Sequence, residues 1–432
     1  MKIVQVIPNF GLGGIQKAGQ VLFNSFSRKR LDVAIVGFDD GPRFNDSDER
    51  YHIVSSPDAL RELIQKLGSD VVHIHGHGYS TSTIRQISED PRFNSTLIVS
   101  TPVFGRPPEP RSILRSTSTC CVGNFCFDRL ADWLGLSIEE AVLQRIGAVP
   151  LTPFEPLADE PIRSKRESVQ AYRRKFCPDY SGSGLVFGRV GRQHVHKWTK
   201  DSANTIDKLL SRFPGSQWLS VGFPPELGLE SLKARWGTRF INFPETSDYS
   251  FICQALSCLD VHIFSSPYGE CFASSIVEST GIGVPTIAVS RPYRDNGQAE
   301  QVIDGKTGFL VADDNGILSK IALLSKNPDL LNHLKNESRN YTRNHWHADI
   351  VADKLLQLYQ AWREDQPSLD RFPILAEQLE DALRFREFYR SRMKALHGAG
   401  PITGAMHHTQ SKLARTWVAH RFVAKAKRMM RR

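Results

Sequence analysis

Ser266-Pro267-Tyr268-Gly269-Glu270-Cys271-Phe272-Ala273-Ser274-Ser275-Ile276-Val277-Glu278 follows an apolar run at 261–264 and leads into a small-residue stretch at 281–289. The apolar run reads as a buried strand, the Pro/Gly segment as a turn, and the residues after it as a helix. Strand, turn, helix and strand in succession make the unit of a parallel sheet covered on both faces.

The same alternation recurs outward from this stretch. Upstream, strands are predicted at 185–188, 218–221 and 240–243, with helices at 201–213 and 249–256; a strand at 286–289 follows. A charged, Pro- and Gly-containing break lies near 154–183. Before it an earlier series has strands at 2–8, 31–37, 71–75, 97–100 and 119–122, with helices at 15–26 and 58–67. We therefore expect an α/β protein with two doubly wound, Rossmann-like domains, at 1–165 and 183–346. A cleft at their facing strand ends is the expected ligand site. A closing helix is expected within 347–365, with Val351, Leu355, Leu358 and Trp362 at helical spacing, and a helical, basic extension over 366–432.

Composition narrows the function classes. No apolar run approaches the roughly 20 residues that span a bilayer. The start, Met1-Lys2-Ile3-Val4-Gln5-Val6-Ile7-Pro8, is strand-like and too short for an export signal. Seven cysteines without metal-ligand spacing point to reduced thiols and a cytoplasmic protein. The net charge of +9 is unevenly placed. No Asp or Glu follows Glu387, and eleven Lys or Arg do. Without those eleven, the remaining basic residues are slightly outnumbered by the 46 acidic ones, which is unlike a nucleic-acid-binding domain.

Several groups carry candidate chemistry. Carboxylates accept paired hydrogen bonds, which suits the hydroxyls of sugars and ribose. A helix N-terminus suits diphosphate. Eight residues of helix from Glu270 to Glu278 would span roughly 12 Å, the extent of a sugar-diphosphate-ribose unit. Glu270 would then meet the sugar, Glu278 the ribose, and the amides of Cys271, Phe272 and Ala273 the phosphates of a nucleotide-sugar. Arg189, Arg192 and Lys197 lie in a segment read as a loop after the strand at 185–188. Cations there would stabilise charge developing on a leaving phosphate, although Arg and Lys in loops are usually just solvated. Gly11-Leu12-Gly13-Gly14 stands between the first strand and helix, where amides can approach phosphate or simply form a tight turn. His73 and His75 share one face of a strand, as structural residues or with one touching substrate. Asp46-Ser47-Asp48 has the form of an acidic metal motif but sits in a hydrophilic loop, and no metal is expected.

Together these residues resemble the family 4 retaining glycosyltransferases of the GT-B fold. The resemblance rests on the glutamate pair with seven residues between, the continuation Gly281-Ile282-Gly283-Val284-Pro285-Thr286-Ile287-Ala288-Val289, the segment Gly297-Gln298-Ala299-Glu300, and the ending Asp304-Gly305-Lys306-Thr307-Gly308-Phe309-Leu310-Val311. It covers about residues 1–363. It implies that Glu278 binds ribose, Glu270 the donor sugar, Arg189 and Lys197 the diphosphate, and that Gly13 and Gly14 approach the diphosphate. It also implies transfer of a hexose with retention, by front-face attack without a protein nucleophile, metal or cofactor. Three positions depart from the family. The Arg-to-Lys interval is long, so Arg192 could replace Arg189. Gln16 stands near the place of a glutamate. Thr101-Pro102-Val103-Phe104-Gly105 stands where many members carry a histidine, leaving His75 and Phe104 as candidate sugar or acceptor contacts.

The resemblance further implies a glycan or lipid-linked acceptor, in cell-envelope or exopolysaccharide synthesis. The basic tail would add about 1 kcal/mol per Lys or Arg near an anionic membrane, placing the protein peripherally on its cytoplasmic side. Trp417, Phe422, Met429 and Met430 supply apolar groups among those charges. Two other readings stay open: a nucleotide-sugar epimerase of related fold, and a non-catalytic scaffold with a vestigial donor site.

Overall fold

The computed structural model describes residues 1–11, 13–76, 81–103, 105, 117–150, 154–155, 166–180, 182, 184–292 and 294–398. Phe104 and the basic segment beyond 398 lie outside the described residues. The chain divides into two units: Met1–Pro153 together with the chain from Ala348, and Phe154–His347.

The first unit is built on seven parallel strands: β1 (Lys2–Ile7), β2 (Asp32–Gly37), β3 (Tyr51–Ile53), β4 (Val71–Gly76), β5 (Leu97–Pro102), β6 (Ser118–Cys121) and β7 (Ile146–Ala148). Their order is β3-β2-β1-β4-β5-β6-β7. β3 and β7 are three-residue strands that the sequence reading missed, being too short to show a period. Helix Pro57–Leu67 starts where the Ser56 side chain accepts the Ala59 N–H at 3.1 Å and stops at Gly68 in the left-handed conformation. Helix Ala348–Trp362 returns to this unit, with Arg28 and Lys29 at the end of helix Gly14–Arg28 paired to Asp349 and Asp353. Helix Pro373–His397 follows. Its Arg386 pairs with Asp128 and Asp132 of helix Asn124–Leu134.

The second unit has six parallel strands: β8 (Val186–Val190), β9 (Gln217–Val221), β10 (Phe240–Phe243), β11 (Val261–Phe264), β12 (Thr286–Val289) and β13 (Gly308–Val311). Their order is β10-β9-β8-β11-β12-β13. Alternate residues feed two separate cores. Phe187, Trp218, Ile263 and Ile287 pack on one face, and Val186, Leu219 and Val221 on the other. Burial on both faces explains why these strands read as continuous apolar runs. Both sheets reverse their winding once, at β1/β4 and at β8/β11. In open parallel sheets that switch point opens a crevice at the carboxyl ends of the strands. Two Rossmann-like sheets of this kind make a GT-B-type architecture. Among the described residues no helix is long and apolar enough to cross a membrane.

Candidate functional site

The carboxyl ends of β8 and β11 gather most of the second unit's candidate residues. β8 extends two residues beyond the predicted strand, so Arg189 lies inside it rather than in the loop after it. That placement buries Arg189, at 2% exposure, whereas Arg192 is exposed. The Arg189 guanidinium lies over Trp198 at 4.6 Å and Phe264 at 5.2 Å from the ring centroids. It donates to Ser265 Oγ at 3.2 Å and to the Lys197 carbonyl. Burial pulls it down to about 10, against the upward pull of Glu270, while Arg291 adds to the depression. Lys197 reaches across to form an ion pair with Glu270. The long interval between Arg189 and Lys197 is therefore a loop that folds back, pinned by Trp198 Nε1 donating to the Arg192 carbonyl at 3.1 Å. Gln193 and Glu245 fix its outer end, with the Gln193 N–H 2.9 Å from Glu245 Oε2.

Glu270 sits on a loop held through its backbone. Gly269 has φ +66°, and a Cβ there would lie 1.4 Å from the Asp295 carbonyl oxygen, so only glycine fits. Gln298 Oε1 accepts the Glu270 N–H at 3.2 Å. Gln301 holds both sides of Ala273, accepting its N–H at 2.8 Å and donating to its carbonyl at 3.0 Å. The Ala273 amide is thus already occupied, which corrects its expected place among the phosphate-facing amides beside Cys271 and Phe272. Helix Ser274–Gly281 opens one residue later, uncapped by any side chain, so its first-turn amides belong to Ser274 and Ser275. Only the Ser274-to-Glu278 part of the glutamate interval is helical, so the 12 Å helical span does not apply as reasoned. Glu278 is half-buried on that helix. The Tyr249 phenol near it is held well above its ordinary value by burial, with Cys253 and Glu278 adding to the rise.

Sequence reasoning missed Arg291, Gln298 and Gln301. Arg291 donates from Nε to the Ser266 carbonyl at 3.0 Å. It follows β12, and Arg189 is the last residue but one of β8, so a basic residue near a strand's carboxyl end was the available signal. The glutamines act on main-chain atoms 28 residues away, and no local pattern marks that.

In the first unit, Gly13 precedes helix Gly14–Arg28 without a side-chain cap, and a Cβ on Gly14 would meet nothing within 4 Å. Asn9 Oδ1 accepts both Gly11 N–H and Gln16 Nε2, each at 2.9 Å, so Gln16 braces the loop. His73 and His75 are buried and stacked, with centroids 4.2 Å apart. His73 bonds Tyr359 and Thr101, each at 2.6 Å, and His75 Nε2 bonds Gln5 at 2.6 Å. Burial lowers His75 to about 3 and His73 well below its ordinary value, with His75 adding to the latter. Asp48 is committed to Arg50 at 2.6 Å. No cluster of three or more metal-ligating side chains occurs among the described residues.

Residues 229–341 match the family model for glycosyl transferases group 1, which spans the loop of Glu270 and the helix of Glu278. That match supports a glycosyltransferase. No curated protein matches the chain significantly. Among solved structures, a glycosyltransferase from Rickettsia africae ESF-5 is similar with TM-score 0.67 and 16% identity, over 84% of this chain and 99% of that one. Anabaena HepE in complex with UDP is similar with TM-score 0.65 and 13% identity, over 83% and 100%. The catalytic domain of starch synthase IV from Arabidopsis thaliana, bound to ADP and acarbose, is similar with TM-score 0.62 and 12% identity, over 84% and 99%. At these identities the likenesses establish the fold.

Proposed function

We propose that this chain is a retaining glycosyltransferase that moves a hexose from a nucleotide-sugar to a glycan or lipid-linked acceptor. The observation that carries the reading is the Lys197–Glu270 pair beside buried Arg189, at the switch point of the second sheet. A diphosphate entering there takes Lys197 as its counter-ion and frees Glu270 for a sugar hydroxyl. The first-turn amides at Ser274 and Ser275 add partial positive charge. Glu278, four residues further along the helix, is the ribose ligand in this reading. Arg189 is fixed by its two aromatic neighbours, so its charge is in place before the leaving phosphate develops its own. Bond breaking separates C1 of the sugar from the phosphate oxygen. The acceptor oxygen bonds C1 on the same face, and its proton passes to the departing phosphate. No protein nucleophile or metal takes part.

UDP- and ADP-sugars are the first donors to test, given the UDP bound by Anabaena HepE and the ADP bound by starch synthase IV. A true donor at 100 times its Kd stabilises the fold by about 2.7 kcal/mol, which a thermal-shift screen resolves. The Glu278→Ala variant should fold and lose that shift. Full donor stabilisation in the variant would refute the assignment. NMR of the product linkage tests retention. Loss of anionic-vesicle binding on removing residues 403–432 tests the peripheral membrane role.

A further inference from the structure

The second unit has a cavity of about 970 Å³ at the opposite end of its sheet from Glu270. Asp260, immediately before β11, lies in its wall, whereas Glu270 follows that strand's far end. Four strand residues at about 3.3 Å each separate the two ends by roughly 13 Å. Two helix faces line the cavity. Gln170, Arg173, Arg174 and Cys177 come from helix Arg166–Phe176 and the residue after it. Asn332, Lys335, Asn336 and Arg339 come from helix Pro328–His345. Both sets follow the i, i+3, i+4, i+7 spacing of one helical face.

The lining is strongly cationic. Four basic side chains face one acidic residue, Asp260, among the described residues. Asp260 is 6% exposed and its hydrogen bonding is extensively used: Oδ2 accepts from Arg173 at 2.8 Å and the Val186 N–H at 3.0 Å, and Oδ1 from Lys335 at 2.6 Å. One carboxylate therefore neutralises one charge of four, and the concave wall concentrates the remaining field. The exposed amides of Gln170, Asn332 and Asn336 add donors able to reach anionic oxygens. Volume, excess charge and donors all match a compact polyanion.

We propose that this cavity is a second anion site, taking a soluble small molecule that carries two or more phosphate groups. It is independent of the donor reading, because none of its lining residues belongs to the site at Glu270. The probe is sodium tripolyphosphate, titrated calorimetrically into the full chain carrying Lys197→Gln, which weakens phosphate binding at the other site. One saturable site is expected, unaffected by UDP. Adding Arg174→Glu and Asn336→Asp, both solvent-facing, should weaken it at least tenfold with the melting temperature unchanged. If that combination does not fold, Gln170→Glu with Asn332→Asp tests the same wall. No saturable binding, equal affinity in the folded charge-reversed chain, or competition by UDP overturns the proposal.

Discussion

Lowering the pH from 7 to 5 should loosen the first unit before the second, through histidines buried in their neutral form. His73 and His75 lie in the first sheet and His262 in the second. Burial lowers all three: His75 and His262 to about 3, with Arg189 adding to the shift at His262, and His73 well below its ordinary value. In the unfolded chain each takes up a proton near its ordinary value of 6.5. A group with a lowered folded pKa that is neutral when deprotonated gives stability at pH above 6.5, lost as pH falls from there towards the folded value. His75 and His262 each cost up to about 1.4 kcal/mol per pH unit, and about 2 kcal/mol by pH 5, and His73 acts in the same direction. His75 and His262 thus cost their two units comparable amounts, and His73 adds a further loss in the first unit alone. Marginal stabilities of roughly 5–15 kcal/mol make that difference large. The depressed carboxylates Asp90 and Asp260 contribute only below this window, since their unfolded value is 3.8. Asp381, raised by burial, acts in the opposite sense on acidification. Hydrogen exchange resolved by peptide and corrected for intrinsic rate reads each unit separately. His75→Gln should remove about one proton's worth of slope from first-unit peptides alone. A wild-type slope below about 1.4 kcal/mol per pH unit in those peptides, or an unchanged slope in the variant, would refute the reasoning.

Other expectations follow from single contacts. Lys197→Ala should weaken UDP binding by about 10- to 100-fold, the worth of one hydrogen bond to a charged group, with little change in melting temperature. Calorimetric titration checks it. Gly297→Ala would put a Cβ 1.9 Å from the Cys271 carbonyl oxygen, pushing the Glu270 loop by about 1 Å. A misplacement of that size should lower donor turnover by about 100-fold, measured as released nucleotide. Asp260→Asn leaves Arg173 and Lys335 without their shared carboxylate and should cost about 3–5 kcal/mol in denaturant unfolding.

Much of the architecture was legible in the sequence because both faces of each sheet are covered, which writes a strand as an apolar run. Ile146–Ala148 and Tyr51–Ile53 escaped, since three residues at a sheet edge carry no such run, and so did the edge strand Gly308–Val311, whose short apolar run directly follows a Gly-containing turn. At the site, Glu270 and Glu278 were visible as a spaced pair, and Lys197 as a cation after a strand. Arg189 was legible by type but not by environment. Its burial depends on Trp198 and Phe264, which only the fold brings to it. The grip of Gln298 and Gln301 on the Glu270 loop left no trace, because hydrogen bonds to peptide groups put no requirement on the side chains they hold. The basic cavity was equally silent: its two helical faces lie about 160 residues apart in the chain.

That grip on peptide groups has a consequence for how such a site can change. The loop's main chain is set by glycines at 269 and 297 and by two glutamine side chains, while Cys271 is buried and Phe272 packs against the core on one face of the second sheet. The loop's inner side chains are therefore held by packing as its peptide groups are by the glutamines, and exposed Tyr268 is where substitution disturbs the frame around Glu270 least. Change near the carboxylate is thus channelled to the loop's outer edge, with the frame that places Glu270 left standing.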